Sequence, residues 1–262
     1  MLKFRDRTTE AASKTSVVQN KFLATMSPED FDLLRPFLKV VELKRHAVIN
    51  EANKPAEAVY FIESGVVSRI ARTQVDGAVE VAMVGRYGFL GISVVLGTMI
   101  SLQRSVVQIP GFALRISASD LQAVMTKHPA IREHLLRYVQ LLLSQKAQVV
   151  LCNAKHEIDK RLARWLLLAH DRISGNQLQV THDLLAMMLG VRRAGVTEAL
   201  AMFESKGVLA KARGAVRIVD QQALKAHACE CYKIIDEKFS WLRTMQTYEH
   251  RMDVNYGWLA TS

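Results

Sequence analysis

The sequence predicts an α+β fold in which a β-rich segment comes first and helices follow. From about residue 40 to residue 116, short runs of β-branched residues alternate with glycine or polar turns. A long amphipathic helix is indicated from about residue 129, and two short helices joined by a glycine come later. With 262 residues, half of them hydrophobic, the chain is long enough for one or two domains with substantial cores.

A first helix is predicted to begin at Ser27-Pro28-Glu29-Asp30. This run offers an N-cap serine, a proline at the first helical position and two acids in the first turn. The inward face would consist of Phe31, Leu34 and either Phe37 or Leu38. Residues 1–20 show no such periodicity, and we expect them to be disordered.

Residues 21–128 are predicted to form a double-stranded β-helix, that is, a β-roll or jelly roll. Asp76-Gly77 and Pro110-Gly111 are both interpreted as hairpin turns between strands. The predicted strands are VVELK, AVI, AVYFIESG, VVSRIART, VDGAVEVAMVG, SVVQI and ALRIS.

Residues 129–154 are predicted to be a dimerisation helix. Apolar side chains recur at alternating spacings of four and three, which is typical of a coiled-coil seam. A helix of this length has more apolar surface than one small β-roll can cover. The alternative is a helix packed wholly within its own chain. The predicted dimer interface consists of Leu135, Val139, Leu142 and Val149.

Residues 155–220 are predicted to form a winged helix-turn-helix. In THDLLAMMLGVRRAGVTEALAMFES, Thr181 is an N-cap, Gly190 ends one helix, and the next helix places Val196, Leu200 and Phe203 toward a core. The opposite face is then slim and polar. A preceding helix would close the core through Ile158, Leu162, Trp165, Leu166 and Ala169.

Two arginines stand where an N-cap and a first helical residue are expected. Arg192 and Arg193 put positive charge at the positive end of a helix dipole, which costs a few tenths of a kcal/mol. The arrangement is explained if phosphates or guanine edges approach that end, because arginine can donate two hydrogen bonds to either. The alternative is a solvated arginine pair in a turn.

The segment after this motif is predicted to be a β-wing. Val208-Leu209-Ala210 and residues 215–219 have the composition of strands, and Lys211-Ala212-Arg213-Gly214 between them is a basic turn with glycine. Lys211 and Arg213 are therefore expected to contact DNA.

Composition limits the remaining possibilities. The net charge of +10 favours polyanionic partners but does not locate them. The sequence offers neither a transmembrane run nor a signal peptide, and three cysteines are too few for a disulfide framework, so we expect a cytoplasmic protein. Cys229 and Cys231, one residue apart on a predicted helix, would point to different faces. With no Cys/His pair at zinc-site spacing to complete a set of ligands, no metal site is predicted.

Residues 221–262 form a predicted C-terminal helical extension. Its periodic apolar positions indicate packing against the winged helix or the dimerisation helix. They are Leu224, Cys231, Ile234 or Ile235, Phe239 and Leu242. Tyr256-Gly257-Trp258 is interpreted as ordinary packing.

Over about residues 22–220 the chain resembles the Crp/Fnr family of bacterial transcription regulators. The resemblance is strongest in LLAMMLGVRRAGVTEALAMFESKGVL and in AVYFIESGVV. It implies a cyclic-nucleotide-binding-like β-roll and a homodimer that places two recognition helices in successive major grooves. It also implies that Arg193 and Glu198 reach bases, and that Thr181 and His182 contact the DNA backbone. The family's frequent glutamate after the arginine is Ala194 here, so the usual operator is not expected. The expected DNA-binding residues are Thr181, His182, Arg192, Arg193, Thr197, Glu198, Lys211 and Arg213.

The possible effector pocket differs from the pattern of cyclic-AMP-binding relatives. Those relatives carry a Gly-Glu pair and an Arg-Ser/Thr pair, and here Arg104-Ser105 supplies only the second. The sequence has no acid from Val81 to Ser119, and an unpaired ribose hydroxyl would cost about 1–3 kcal/mol. Cyclic AMP is therefore not the expected effector, and Arg104 is expected in a surface ion pair or in solvent. The pocket residues would be Gly88, Gly91, Arg104 and Ser105.

The prediction is a sequence-specific regulator that binds palindromic operators as a homodimer. Its expected partners are double-stranded DNA, a second copy of the chain and RNA polymerase, with an unknown small-molecule effector, no cofactor and no membrane. The alternative is a small-ligand or cyclic-nucleotide sensor in which DNA binding is secondary. An enzyme is not expected, because the sequence contains no P-loop, G-x-S-x-G or H-E-x-x-H motif.

Overall fold

The computed structural model describes residues 18–75, 77–173 and 175–240. The strands are β1 Lys39–Leu43, β2 Val48–Asn50, β3 Lys54–Pro55, β4 Ala58–Ile62, β5 Val66–Arg72, β6 Ala78–Val84, β7 Phe89–Leu90, β8 Ile100–Ser101, β9 Arg104–Ile109, β10 Gly111–Ser117, β11 Gln177–Leu178, β12 Leu209–Ala212 and β13 Ala215–Ile218. The helices are α1 Pro28–Leu34, α2 Ile92–Val95, α3 Ala118–Lys127, α4 Pro129–Lys155, α5 Ile158–His170, α6 His182–Leu189, α7 Arg193–Ser205 and α8 Gln221–His227. Residues 231–240 are also helical.

The N-terminal domain is a β-roll, which confirms the predicted fold class. Two antiparallel four-stranded sheets, in the orders β1-β10-β4-β7 and β2-β9-β5-β6, face each other. Side chains from both sheets fill the space between them because successive residues of a strand point to opposite faces. This part of the core contains Leu43, Ile62, Val67, Leu90, Val107 and Ala113.

The interpretation of Pro110-Gly111 as a hairpin turn is wrong. The strands on either side, β9 and β10, lie in different sheets and do not pair with each other. The segment is a corner at which the chain crosses from one sheet to the other. Gly111 is required there because a Cβ would lie 2.2 Å from the carbonyl oxygen of Ser64.

In the segment before the β-roll, helix α1 begins after the N-cap Ser27, as predicted. The Ser27 side chain accepts a hydrogen bond from the backbone of Asp30, and Leu34 is buried. Residues 18–20 differ from the expected disorder, since Asn20 is fully buried and its amide donates to the carbonyls of Ile62 and Gly88. Residues 1–17 lie outside the described residues.

The predicted dimer seam on α4 lies in the core of its own chain. Leu135, Val139 and Leu142 are buried, and Val149 packs against the core that contains Leu135. The apolar residues of α4 extend around more than one face, so the spacing alone did not distinguish the face toward the β-roll from the outer face. The outer face carries Leu143 and Val150, which are 63% and 69% exposed.

The C-terminal domain is a three-helix unit with a wing. Helices α5, α6 and α7 share a core to which Leu162, Leu166, Leu185, Val196, Leu200 and Phe203 contribute. Strands β11, β13 and β12 form the wing sheet in that order. The apolar positions predicted for α5 and α7 are thus confirmed, although Ile158 is only partly buried.

The C-terminal extension joins both domains. Leu224 on α8 is buried in the core of the winged helix, whereas Ile235 and Phe239 enter the core that contains Phe22, Phe89 and residues of α4. This confirms the expected packing up to residue 240. Leu242 and Tyr256-Gly257-Trp258 lie outside the described residues.

Candidate DNA-binding interface

The helix-turn-helix has the caps that its sequence predicts. The Thr181 side chain accepts a hydrogen bond from the backbone of Leu184 at 3.2 Å, and Gly190 ends α6 in the left-handed conformation with φ of +64°. These two residues fix where α6 begins and ends. The turn that follows Gly190 leads into α7, whose N-terminus lies on the surface.

The second helix buries one face and exposes the other. Val196, Leu200 and Phe203 are buried against α5 and α6. The opposite face is exposed over its whole length and carries only small, polar or charged side chains, namely Arg193, Ala194, Thr197, Glu198, Ala201 and Ser205. A slim polar face on a projecting helix has the shape that fits a major groove.

Arg193 is held by neighbours that position its charge. Its Nε lies 3.4 Å from Oδ1 of Asp183, and both side chains are largely exposed. Thr197 donates from Oγ1 to the Arg193 carbonyl at 3.1 Å, and the same Oγ1 lies 2.9 Å from Nδ1 of His182. The structure thus brings His182, Arg193 and Thr197 together at the start of α7.

Arg192 is the N-cap of α7, and its side chain makes no capping hydrogen bond to the described helix. It is exposed, so its guanidinium extends from the N-terminus of α7, where the backbone N–H groups also favour anions. A phosphate at this end would meet both the arginine and the helix dipole.

The wing adds basic side chains at the edge of the same domain. Lys211 and Arg213 are exposed around the β12–β13 turn, where Gly214 has φ of +66°. Lys211 Nζ lies 3.1 Å from Oε2 of Glu204. Arg217 is a further exposed basic residue of the wing, on β13, and the sequence analysis did not select it. Its position between the apolar residues Val216 and Ile218, which are buried, could have indicated that it faces outward.

The four possible effector-pocket residues do not form one polar site. Gly88 packs against Tyr138, where a Cβ would lie 2.1 Å from the phenol oxygen, and Gly91 packs against Ala58 and Val59. Ser105 is buried in β9. Arg104 makes an ion pair with Glu51, Nε to Oε1 3.3 Å, which agrees with the expected ion pair on the β-roll surface.

The winged helix rests on β6 of the β-roll. Trp165 donates its indole N–H to Oε1 of Glu80 at 2.9 Å, and Ser68 donates to the other oxygen of that carboxylate. Burial raises the pKa of Glu80, and the hydrogen bonds from Ser68 and Trp165 act in the opposite direction. Arg86 donates to the carbonyl of Ile173. These contacts orient the DNA-binding domain relative to the β-roll.

The prediction that Cys229 and Cys231 point to different faces is wrong. Cys229 lies in the turn after α8 and only Cys231 begins the next helical segment, so both sulfurs approach Cys152 and His156 at the end of α4. Cys152 and His156, four residues apart, were the signal that the sequence offered and that was missed.

No helix in the described parts of the chain is both long enough and apolar enough to span a membrane.

Comparison with known proteins identifies the C-terminal domain and the fold. Residues 160–227 match the model of the Crp-like helix-turn-helix domain. A CRP-like cAMP-activated global transcriptional regulator of Mycobacterium tuberculosis is 25% identical over 213 residues, which cover 78% of this chain and 94% of that protein.

Solved structures share the architecture. A CRP-family transcriptional regulator from Thermus thermophilus has a TM-score of 0.60 at 19% identity, covering 72% of this chain and 96% of that chain. The c-di-GMP responsive global regulator CLP of Xanthomonas campestris has a TM-score of 0.59 at 18% identity, covering 73% and 99%. With the matched domain and the exposed recognition helix, these findings confirm the resemblance: residues 160–227 form a Crp-like helix-turn-helix domain, and the chain has the fold of CRP-family transcriptional regulators.

Proposed function

We propose that the protein binds inverted-repeat operators as a homodimer, with α7 of each copy in a major groove, and that cyclic AMP does not control it. The observation that carries the proposal is the exposed N-terminus of α7, where Arg192 and Arg193 project beside a polar, slim helix face. Two cations at this end are unfavourable in the free protein and become favourable once phosphate or a guanine edge is present.

The two arginines are assigned different tasks. Arg193 lies on the outer face of the recognition helix, and exchanging Asp183 for guanine O6 and N7 replaces an exposed, weak ion pair by two directed hydrogen bonds. Arg192, at the N-cap, meets a phosphate together with Thr181 and His182. Thr197 and Glu198 complete the groove-facing surface, and Lys211 and Arg213 reach the flanking backbone from the wing.

The homodimer is supported by the outer face of α4. Leu136, Gln140, Leu143, Ala147 and Val150 follow spacings of four, three, four and three. Leu136 is partly buried and the other four are exposed, so the stripe is available to a second copy. This heptad register lies one residue further along the chain than the register predicted from sequence. A two-fold coiled coil along the stripe would place two recognition helices for half-sites about 34 Å apart.

Independence from cyclic AMP is supported by the β-roll. The stretch from Val81 to Ser119 contains no carboxylate for a ribose hydroxyl. Arg104, which would be needed for the cyclic phosphate, is on the surface beside Glu51, and Gly88 is closed by Tyr138. In this respect the chain would differ from the M. tuberculosis relative, which is cAMP-activated.

Selection of bound duplexes from a random pool tests the proposal. The expected consensus is an inverted repeat with half-sites one helical turn apart. Arg193→Ala should lose preference for one base pair in each half-site, at a cost of about 1–3 kcal/mol. Arg192→Ala should weaken all duplexes alike and reduce the salt slope by about one per half-site.

The matched control is Arg35→Ala, which removes an exposed arginine at the end of α1, where its guanidinium pairs with Asp32. It should leave the consensus unchanged. Selection of a single asymmetric half-site, or an unchanged base preference in Arg193→Ala, would contradict the proposal.

A further inference from the structure

Four side chains with metal-binding atoms meet away from the DNA-binding face. The sulfurs of Cys152, Cys229 and Cys231 and a ring nitrogen of His156 all lie within 4.8 Å of one another. The three cysteines are free thiols and buried, and His156 is partly buried. None of the four residues belongs to the β-roll or to the recognition helix.

Two separate parts of the chain build the cluster. Cys152 and His156 are four residues apart at the C-terminal end of α4, so they lie on one face of the helix. Cys229 and Cys231 come from the turn between α8 and the helical residues 231–240. Structural zinc sites are typically built from one pair of ligands on each of two segments; here three residues separate Cys152 from His156, and a single residue separates Cys229 from Cys231, one fewer than is usual.

Two of the six separations between the ligand atoms match the edges of a tetrahedron around one zinc ion. With zinc–sulfur bonds of about 2.3 Å and zinc–nitrogen bonds of about 2.0–2.1 Å, a tetrahedron has sulfur–sulfur edges of about 3.8 Å and sulfur–nitrogen edges of about 3.6 Å. The Sγ atoms of Cys152 and Cys229 are 3.5 Å apart, and Cys231 Sγ is 3.6 Å from Nδ1 of His156. An iron–sulfur cluster holds several irons and sulfides between its cysteines and needs a wider cage.

We propose that Cys152, His156, Cys229 and Cys231 bind one Zn²⁺ in a closed Cys3His structural site. The site links the end of α4 to the C-terminal segment. Since all four ligands are protein atoms, the ion would keep no open position and would serve architecture rather than catalysis. Its binding energy would then contribute directly to holding the C-terminal segment in place.

The surroundings suit such an ion. Gln148 donates from Nε2 to Cys231 Sγ at 3.1 Å, a hydrogen bond that orients the thiolate. Three thiolates, one neutral imidazole and Zn²⁺ carry a net charge of −1. Arg164, a buried cation on α5 that acts electrostatically on Cys152, offsets this charge. Its Nε is a buried donor without a hydrogen-bond partner among the described residues.

The test begins with the full-length wild-type chain, prepared reduced and without a polyhistidine tag. Metal analysis by mass spectrometry should give one zinc per chain. Zinc chloride added to the metal-free chain should bind with one-to-one stoichiometry in competition with a chromophoric chelator. Co²⁺ in place of zinc should show the absorption of a tetrahedral ion with thiolate ligands. These measurements do not depend on any variant folding.

Variants then assign the ligands. His156→Asn and Cys231→Ser should each lose the bound zinc, whereas His46→Asn, a matched change in a β-roll turn, should retain it. Gln148→Leu should weaken zinc affinity about 10- to 100-fold, as expected of a residue that positions a ligand. Three results would overturn the proposal: no zinc bound in the titration, iron and sulfide bound with visible absorption, or a Cys152–Cys229 disulfide in protein trapped with a thiol-blocking reagent.

Discussion

Leu143→Glu tests the dimer through the outer stripe of α4. Leu143 is 63% exposed in the single chain, and the proposed coiled coil would bury that remaining surface. Complete burial of a leucine side chain is worth about 1.5–3 kcal/mol, so the part still exposed contributes about 1–2 kcal/mol per copy. Two copies across a two-fold axis give about 2–4 kcal/mol, or a roughly 30- to 1000-fold weaker dimer. Two carboxylates facing each other weaken it further.

Sedimentation equilibrium over a range of concentrations measures this directly, and fluorescence anisotropy with the selected duplex measures the consequence. Operator affinity should fall with the dimer because a single winged helix holds only one half-site and loses the effective concentration of the linked pair. Leu102→Glu is the matched control, since Leu102 is 71% exposed on the β-roll. It should leave both the dimer and the operator affinity unchanged. A Leu143→Glu protein that sediments as the wild type does would refute the seam.

Three further outcomes are expected. Cyclic AMP at millimolar concentration should change neither the melting temperature nor operator affinity, as checked by thermal denaturation and anisotropy against sodium phosphate of equal ionic strength; a raised operator affinity would contradict this. Gly88→Ala should destabilise the β-roll by about 1–3 kcal/mol in urea denaturation, because its Cβ would lie 2.1 Å from Tyr138; an unchanged midpoint would be the opposing result. In the wild type, folding stability should decrease as pH rises because of Glu80, and Glu80→Gln should abolish this decrease. Burial raises the pKa of Glu80 above 4.5, so the native state binds that proton more tightly, and wild-type stability falls as pH rises through the interval between the unfolded and folded pKa. The stability of Glu80→Gln relative to wild type should therefore increase across that interval, and a constant difference would speak against it.

The sequence was most informative where a local pattern determines structure. The caps at Thr181 and Gly190 and the buried positions of α7 follow from the chain itself, because they depend on residues within one or two turns. The two-residue strands β3, β7, β8 and β11 could not be predicted, since two residues carry no periodicity.

Other features depend on contacts between distant residues. The corner at Pro110-Gly111 has the composition of a hairpin turn, and only the assignment of β9 and β10 to different sheets distinguishes the two. The register of α4 depends on which apolar stripe the β-roll covers. The cysteine cluster depends on the turn after α8. Because α8 ends at His227, Cys229 and Cys231 do not lie on one continuous helix, and their sulfurs can approach the same point.

Several contacts attach the winged helix to the rest of the chain and so orient the recognition helix, and three of them differ in chemistry. Glu80 and Trp165 join it to β6 through a buried polar contact, Ile235 and Phe239 tie its C-terminal continuation to the β-roll core, and α5 follows α4 after a break of two residues. The dimer stripe lies on α4, so the distance between two recognition helices depends on how rigidly α5 follows α4.

The proposed zinc site lies at that junction, where His156 is both the C-cap of α4 and a ligand. Loss of the ion should therefore leave α7 intact and its base preference unchanged, but should broaden the half-site spacing that the dimer accepts. Selection with duplexes whose spacer varies by one base pair at a time distinguishes this from loss of the fold: in wild type one spacing should dominate, and in His156→Asn neighbouring spacings should gain at its expense. An equal loss at every spacing would show that the junction supports folding only.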